Sequence, residues 1–196
     1  MTETIGPAAV VRSPAPRGRM TVAEYEGLIE SGVIDERAPV ELIEGRIVGK
    51  MTKGRRHSRA RINSRRAIER VLPAGWHLAV EVPVRLPTRD SLPEPDLYIA
   101  RGEADDYEDH DPGPADVALV VEVSDSSLAA DRALAGTYLG AGVPAYWLVN
   151  IPDRILEIYT HAGRDDLAEG DSAEVVLEGS VVGRIAVADL LPRRPK

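Results

Sequence analysis

The chain has 196 residues, 43% of them hydrophobic, which suits one domain with an ordinary core; two domains are not expected. It contains no cysteine, which excludes a disulfide framework, a thiolate metal site and a thiol nucleophile, so any metal must be held by carboxylate, carbonyl, water or imidazole. A net charge of −8 argues against a protein that coats nucleic acid non-specifically and leaves room for a local basic patch.

Residues 1–19, with Arg12, Pro14, Pro16 and Arg17 and no periodic apolar pattern, read as a disordered lead-in to a domain over residues 20–192. Thr21-Val22-Ala23-Glu24 has capping-box spacing and opens a short helix to Glu30, with Val22, Tyr25, Leu28 and Ile29 on its apolar side and Gly32 closing it. Val40 to Val48 reads as a hairpin turning at Glu44-Gly45, with Glu41 inside its first strand; alternation alone leaves open which face Glu41 takes. From Arg55 to Leu72 the pattern is helical, with Ala60, Ser64, Ala67, Ile68 and Val71 on one face and Arg55, Arg59, Arg66 and Arg70 on the other.

Residues 50–70 carry nine bases against one acid, Glu69, a local charge of +8. A stripe of this kind can follow a phosphate backbone, which makes Arg55, Arg59, Arg66, Arg70 and Lys53 candidates for nucleic-acid contacts. The alternative is pairing of these arginines with the acidic stretch 103–111, itself a solvated loop closed by Pro112-Gly113-Pro114.

Leu78, Val80, Val82, Val84 and Leu86 alternate with other residues in the period of a half-buried strand, and Pro83 suggests an edge. The apolar run 117–123 is a further strand; Ser124 to Ser127 then enter a helix from Leu128 to Leu139 that Gly140-Ala141-Gly142 ends, before a strand over Pro144–Asn150. A strand, helix, strand series of this length is a right-handed crossover, which makes the two strands parallel. Ile155–Tyr159, Ala173–Leu177 and Arg184–Val187 supply short antiparallel strands. The fold class is therefore α/β, with a mixed central sheet and helices before and within the strand series. No apolar run approaches the roughly 20 residues of a membrane span and the N-terminus lacks the apolar core of a secretory signal, so the expected location is cytoplasmic with no membrane partner.

Two carboxylates stand in strand-like apolar surroundings: Asp96 in Glu94-Pro95-Asp96-Leu97-Tyr98-Ile99, and Glu122 at the end of Val117-Ala118-Leu119-Val120-Val121. An ionised carboxylate taken out of water costs several kcal/mol unless it is paired or metal-bound, so two of them suggest a cation site. Hard ions such as Mg²⁺ or Mn²⁺ suit such ligands.

The ordered series Val40-Glu41-Leu42-Ile43-Glu44-Gly45, His57, Pro95-Asp96-Leu97, Val121-Glu122-Val123-Ser124-Asp125-Ser126-Ser127, Asp131-Arg132, Tyr138 and Ala141 to Val149 resembles the Uma-type bacterial restriction endonuclease family of the PD-(D/E)XK nuclease superfamily. The resemblance implies a restriction-endonuclease-like core, a mixed central β-sheet flanked by helices, and Mg²⁺-dependent hydrolysis of DNA phosphodiesters with Mn²⁺ as a substitute ion. It implies Asp96 and Glu122 as metal ligands and Glu41 as a third acid. A homodimer would suit an enzyme that cuts two strands.

The departure from the family pattern is a lysine. The superfamily usually has one two residues after the second acid, where this chain has Ser124, and the Uma-type family takes it from the following helix, where this chain has Asp131-Arg132-Ala133-Leu134 and no lysine. Arg132 is then the candidate for stabilising transition-state charge, without acting as a base. His57, at a family position, is assigned no role. The alternative function is a nucleic-acid-binding or regulatory protein that keeps the nuclease fold without turnover.

Overall fold

The structure, a computed structural model, describes residues 18–194; the expected lead-in lies outside them except for Gly18 and Arg19. In chain order the elements are α1 (Val22–Glu30), β1 (Val40–Ile43), β2 (Arg46–Gly49), α2 (Arg55–Glu69), β3 (Trp76–Ala79), β4 (Leu97–Arg101), β5 (Val117–Ser124), α3 (Leu128–Ala141), β6 (Ala145–Asn150), β7 (Ile155–Thr160), β8 (Gly163–Ala168), β9 (Ser172–Leu177), β10 (Ser180–Ala186) and the single turn α4 (Val187–Leu190).

Six strands form one mixed sheet in the order β3-β4-β5-β6-β7-β8. The crossover through α3 makes β5 and β6 parallel, and every other neighbouring pair is antiparallel. Hairpins β1–β2 and β9–β10 stand outside this sheet. Strand β5 is buried at every position but Glu122, because helices cover both faces of the sheet's middle. Leu97, Ile99, Leu119, Val121, Val123, Trp147 and Val149 pack with Ala60, Ala67 and Ile68 of α2 and with Val175, Leu177 and Ile185 of the β9–β10 hairpin. The intervening residues Tyr98, Val120, Tyr146 and Leu148 pack on the other side with Ala135 and Tyr138 of α3. Tyr138 and Tyr146 stack with ring centroids 5.6 Å apart, and the Tyr146 hydroxyl donates to the Asp131 carbonyl at 2.7 Å, which ties the first turn of α3 to the sheet.

The capping box at Thr21–Glu24 forms, and so does the turn of the β1–β2 hairpin, where Glu44 (φ 50°) and Gly45 (φ 72°) both take left-handed conformations. The strand expected from Leu78 to Leu86 stops at Ala79. Glu81 turns the chain with φ 53°, and Pro83 cannot donate to a ladder. Val84 and Leu86 are nonetheless fully buried, in an irregular segment whose amides bond to the carbonyls of Pro93 and Ser91. Strand β3 does lie at an edge of the sheet. The other edge, β8, has no counterpart in the sequence reading: Gly163-Arg164-Asp165-Asp166 is charged and exposed, as suits an edge guarded against further pairing.

Candidate active site

Register brings the two acids together. Leu97 faces Val121 across the antiparallel β4–β5 pair, so Asp96, one residue before β4, falls opposite Glu122 and on the same side of the sheet. The Asp96 amide donates to Glu122 Oε2 at 3.2 Å, and the Val123 amide donates to Asp96 Oδ2 at 2.9 Å. Both acids open into a cavity of about 830 Å³ lined also by Glu41, Lys53, His57 and Asp131. The cavity lies where the start of β4 meets the end of β5, between the first turns of α2 and α3, with the β1–β2 hairpin alongside.

Asp96 is 1% exposed and saturated with donors. His57 Nε2 lies 2.9 Å from its Oδ2 and Lys53 Nζ 2.7 Å from its Oδ1. Burial works against its charge, yet the hydrogen bond and charge of His57 and the Lys53 ammonium outweigh it and hold the carboxyl at about 2. Glu122 goes the other way: burial and then the charges of Asp96 and Asp131 push its carboxyl well above the ordinary range. Asp131 is also raised, chiefly by burial, although the Ser127 hydroxyl donates to it at 2.6 Å. Asp96 is thus matched by positive charge, while Glu122 and Asp131 beside it mark the part of the cavity that is short of it.

Glu41 turns inward. Its Oε2 accepts the Glu94 amide at 3.1 Å, and burial raises its carboxyl above the ordinary value. The solvent-facing alternative for this residue is therefore not the one adopted.

Arg132 is not in the site. Its guanidinium is committed to Glu157 of β7, with Nε 3.0 Å from Oε2 and Nη2 2.6 Å from Oε1, and its side chain does not line the cavity. The expectation that it replaces the lysine is corrected on that ground: a buried carboxylate on the neighbouring strand claims it. Lys53, expected beside the phosphate-contacting arginines, stands apart from them and reaches into the cavity to Asp96.

The remaining α2 bases stand as the helical pattern predicts. Arg55, Arg59, Arg66 and Arg70 are exposed on the side opposite Ala60, Ser64, Ala67 and Ile68. Arg55, Arg59 and Arg66 have no carboxylate partner among the described residues; Arg70 Nη1 lies 3.9 Å from Asp189. None of the arginines of α2 pairs with the acidic stretch 103–111, so that alternative is not what forms.

His57 and Asp131 are site-lining residues to which the sequence reading gave no role. Asp131 had a signal, following Ser127 at the helix entry by four residues, a spacing that brings side chains together on one helical face; His57 had only its place in the first turn of a helix.

Among the described residues no three His, Asp or Glu side chains converge as a ready-made metal cage. A hard divalent ion does not require one, since Mg²⁺ is commonly held by one or two carboxylates with water and substrate phosphate oxygens completing its octahedron. The Asp96–Glu122 pair offers only oxygen, and with Asp131 the cavity is short of positive charge on the Glu122 side, which fits such an ion.

A mixed sheet with one parallel crossover pair and two acids facing each other at adjoining strand ends is a restriction-endonuclease-like core. The chain belongs to the Uma2 family, described as "Putative restriction endonuclease", which matches residues 22–182. The same fold occurs in the crystal structure of "a putative nuclease belonging to DUF820" from Anabaena variabilis, which is 18% identical, with 87% of this chain and 97% of that one covered and a TM-score of 0.64. At that identity the likeness is one of fold. No curated protein matches the chain. No helix among the described residues is long and apolar enough to cross a membrane.

Proposed function

We infer that the protein is an endonuclease that hydrolyses DNA phosphodiesters with the help of a hard divalent ion, Mg²⁺ or Mn²⁺. The observation that carries this reading is the placement of Asp96 opposite Glu122 at the strand ends, in a cavity that the acids leave short of positive charge. These two residues would hold the ion, which supplies an activated water and relief of charge on the non-bridging oxygens when bound. Cleavage consumes one water per bond: its oxygen joins phosphorus, the P–O bond to one sugar breaks, and a phosphomonoester and a hydroxyl remain.

This chain's own residues set the conditions. His57 and the Val123 amide fix the Asp96 carboxylate in one orientation. The Glu41 side chain lines the cavity from the hairpin side. Arg55, Arg59 and Arg66, free of carboxylate partners among the described residues, supply phosphate contacts that position a duplex without reading its sequence.

The test is conversion of supercoiled plasmid by the purified protein with Mg²⁺ and then Mn²⁺, beside an identically prepared Asp96→Ala variant. Metal-dependent nicking absent from the variant supports the reading; nicking that persists in it overturns the assignment of Asp96. A second reading, a binding protein without turnover, is favoured by one observation: Asp96 already has every oxygen engaged by Lys53, His57 and Val123. Salt-sensitive DNA binding without cleavage under either ion would select it.

A further inference from the structure

The chain holds three lysines, Lys50, Lys53 and Lys196. Lys50 lines the cavity but is paired with Glu94 at its rim. Lys53 is the ammonium that touches Asp96, and it comes from the segment just before α2, while Ser124, two residues beyond Glu122 on β5, offers only a hydroxyl. Its position is over-determined. Glu81, held in a left-handed backbone conformation, accepts from Lys53 Nζ at 2.8 Å and is itself paired with Arg61. Lys53 therefore hangs between a buried carboxylate that an incoming cation would also claim and a half-exposed one that would keep it at the cavity wall.

We propose that Lys53 is the charge-stabilising residue of this active site: it stands in for the cation at Asp96 in the free protein and turns to a non-bridging oxygen of the attacked phosphate once ion and substrate are bound. The proposal rests on the nuclease reading above. No bond to Lys53 forms or breaks; its ammonium keeps its three protons and supplies charge and hydrogen bonds to an oxygen whose negative charge grows during attack. Two effects of opposite direction follow from removing it. Cleavage weakens, because the phosphate loses its donor, while ion binding does not weaken, because a competing cation has left Asp96.

The absence of cysteine from the chain allows a clean test. Lys53→Cys is compared with wild type and with Asp96→Ala for Mn²⁺ binding by calorimetry and for single-turnover plasmid nicking. It is then treated with 2-bromoethylamine, which restores an ammonium at nearly the same reach. The expected result is Mn²⁺ affinity at or above that of wild type, a nicking rate lower by on the order of 10²–10³, and recovery of that rate on alkylation while treated wild type is unchanged. Undiminished nicking by untreated Lys53→Cys, with Asp96→Ala inactive, overturns the role of Lys53 and leaves the nuclease reading standing. Loss of Mn²⁺ binding together with nicking, or failure of alkylation to restore the rate, makes Lys53 structural and overturns the proposal. No nicking by wild type with either ion overturns the nuclease reading, and this role with it.

Discussion

Glu157→Gln removes one charge from the interior while keeping the shape of the side chain. Glu157 has no exposed side-chain surface and is surrounded by donors: Arg132 Nη2 at 2.6 Å, the Tyr159 hydroxyl at 2.6 Å, Asn150 Nδ2 at 2.7 Å and Arg164 Nη2 at 3.3 Å. Burial alone would raise its pKa, but these partners overcome it and bring the carboxyl down from 4.5 to about 2. At about 1.4 kcal/mol for each pH unit, that gap corresponds to roughly 3 kcal/mol of interaction that exists only while Glu157 is ionised. Arg132 and Arg164 are 37% and 36% exposed, and screening of such partners reduces the contribution to about 1–2 kcal/mol. Because the folded-state pKa lies below the unfolded one, this stability is complete above pH 4.5 and drains away as pH falls toward 2, with less than half remaining at pH 3. Urea denaturation of wild type and Glu157→Gln at pH 7 and pH 3 measures it. The variant should be weaker at pH 7 by that amount and closer to wild type at pH 3. An equal penalty at both pH values would show that the glutamine disturbs packing and would refute the electrostatic account.

Two further outcomes are expected. Replacing Arg55, Arg59 and Arg66 together by glutamine should lower affinity for duplex DNA and flatten the slope of log K against log salt by up to about 0.9 per lost contact, measured by fluorescence anisotropy; an unchanged slope would place the duplex on another surface. Gly183→Ala should destabilise the fold by about 1–3 kcal/mol in thermal denaturation, because a Cβ there would stand 2.5 Å from Val71 Cβ, where β10 passes the end of α2. A melting temperature equal to wild type would mean that the hairpin moves aside at no cost.

The parts of the fold legible in the sequence are those where burial leaves one interpretation. Residues 117–121 and 145–149 are apolar throughout because both faces of the sheet's middle are covered, and Gly142, at φ 107°, closes α3 between them; Gly140, expected to help end that helix, lies inside it. Alternation failed over residues 78–86 for a physical reason. Val84 and Leu86 are as buried as strand residues, but the chain reaches their places through a left-handed Glu81, so one apolar pattern serves two backbone states. Strand β8 was silent because an edge strand with few apolar positions leaves no period to read.

The site divides along the same line. Glu122 is conspicuous because a carboxylate closing an apolar run violates a local rule, and a violation left in a buried strand needs a partner or an ion to sustain it. Asp96 follows from Glu122 once the antiparallel register is known. Lys53 violates nothing: it is one base among nine in residues 50–70, in a loop, and its partner is 43 residues away in sequence. Arg132 shows the converse. Its place in the right helix made it the natural substitute for a missing lysine, but a helix has several faces, and Glu157, set across β6 from β5, draws that side chain away from the acids. Which cation serves which carboxylate is decided by where the charges fall across the sheet, since an ionised acid out of water draws the base within reach. On that accounting Arg132 is spent on Glu157, Arg89 on Glu44 and Lys50 on Glu94, and Lys53 and His57 are the basic side chains left to answer Asp96.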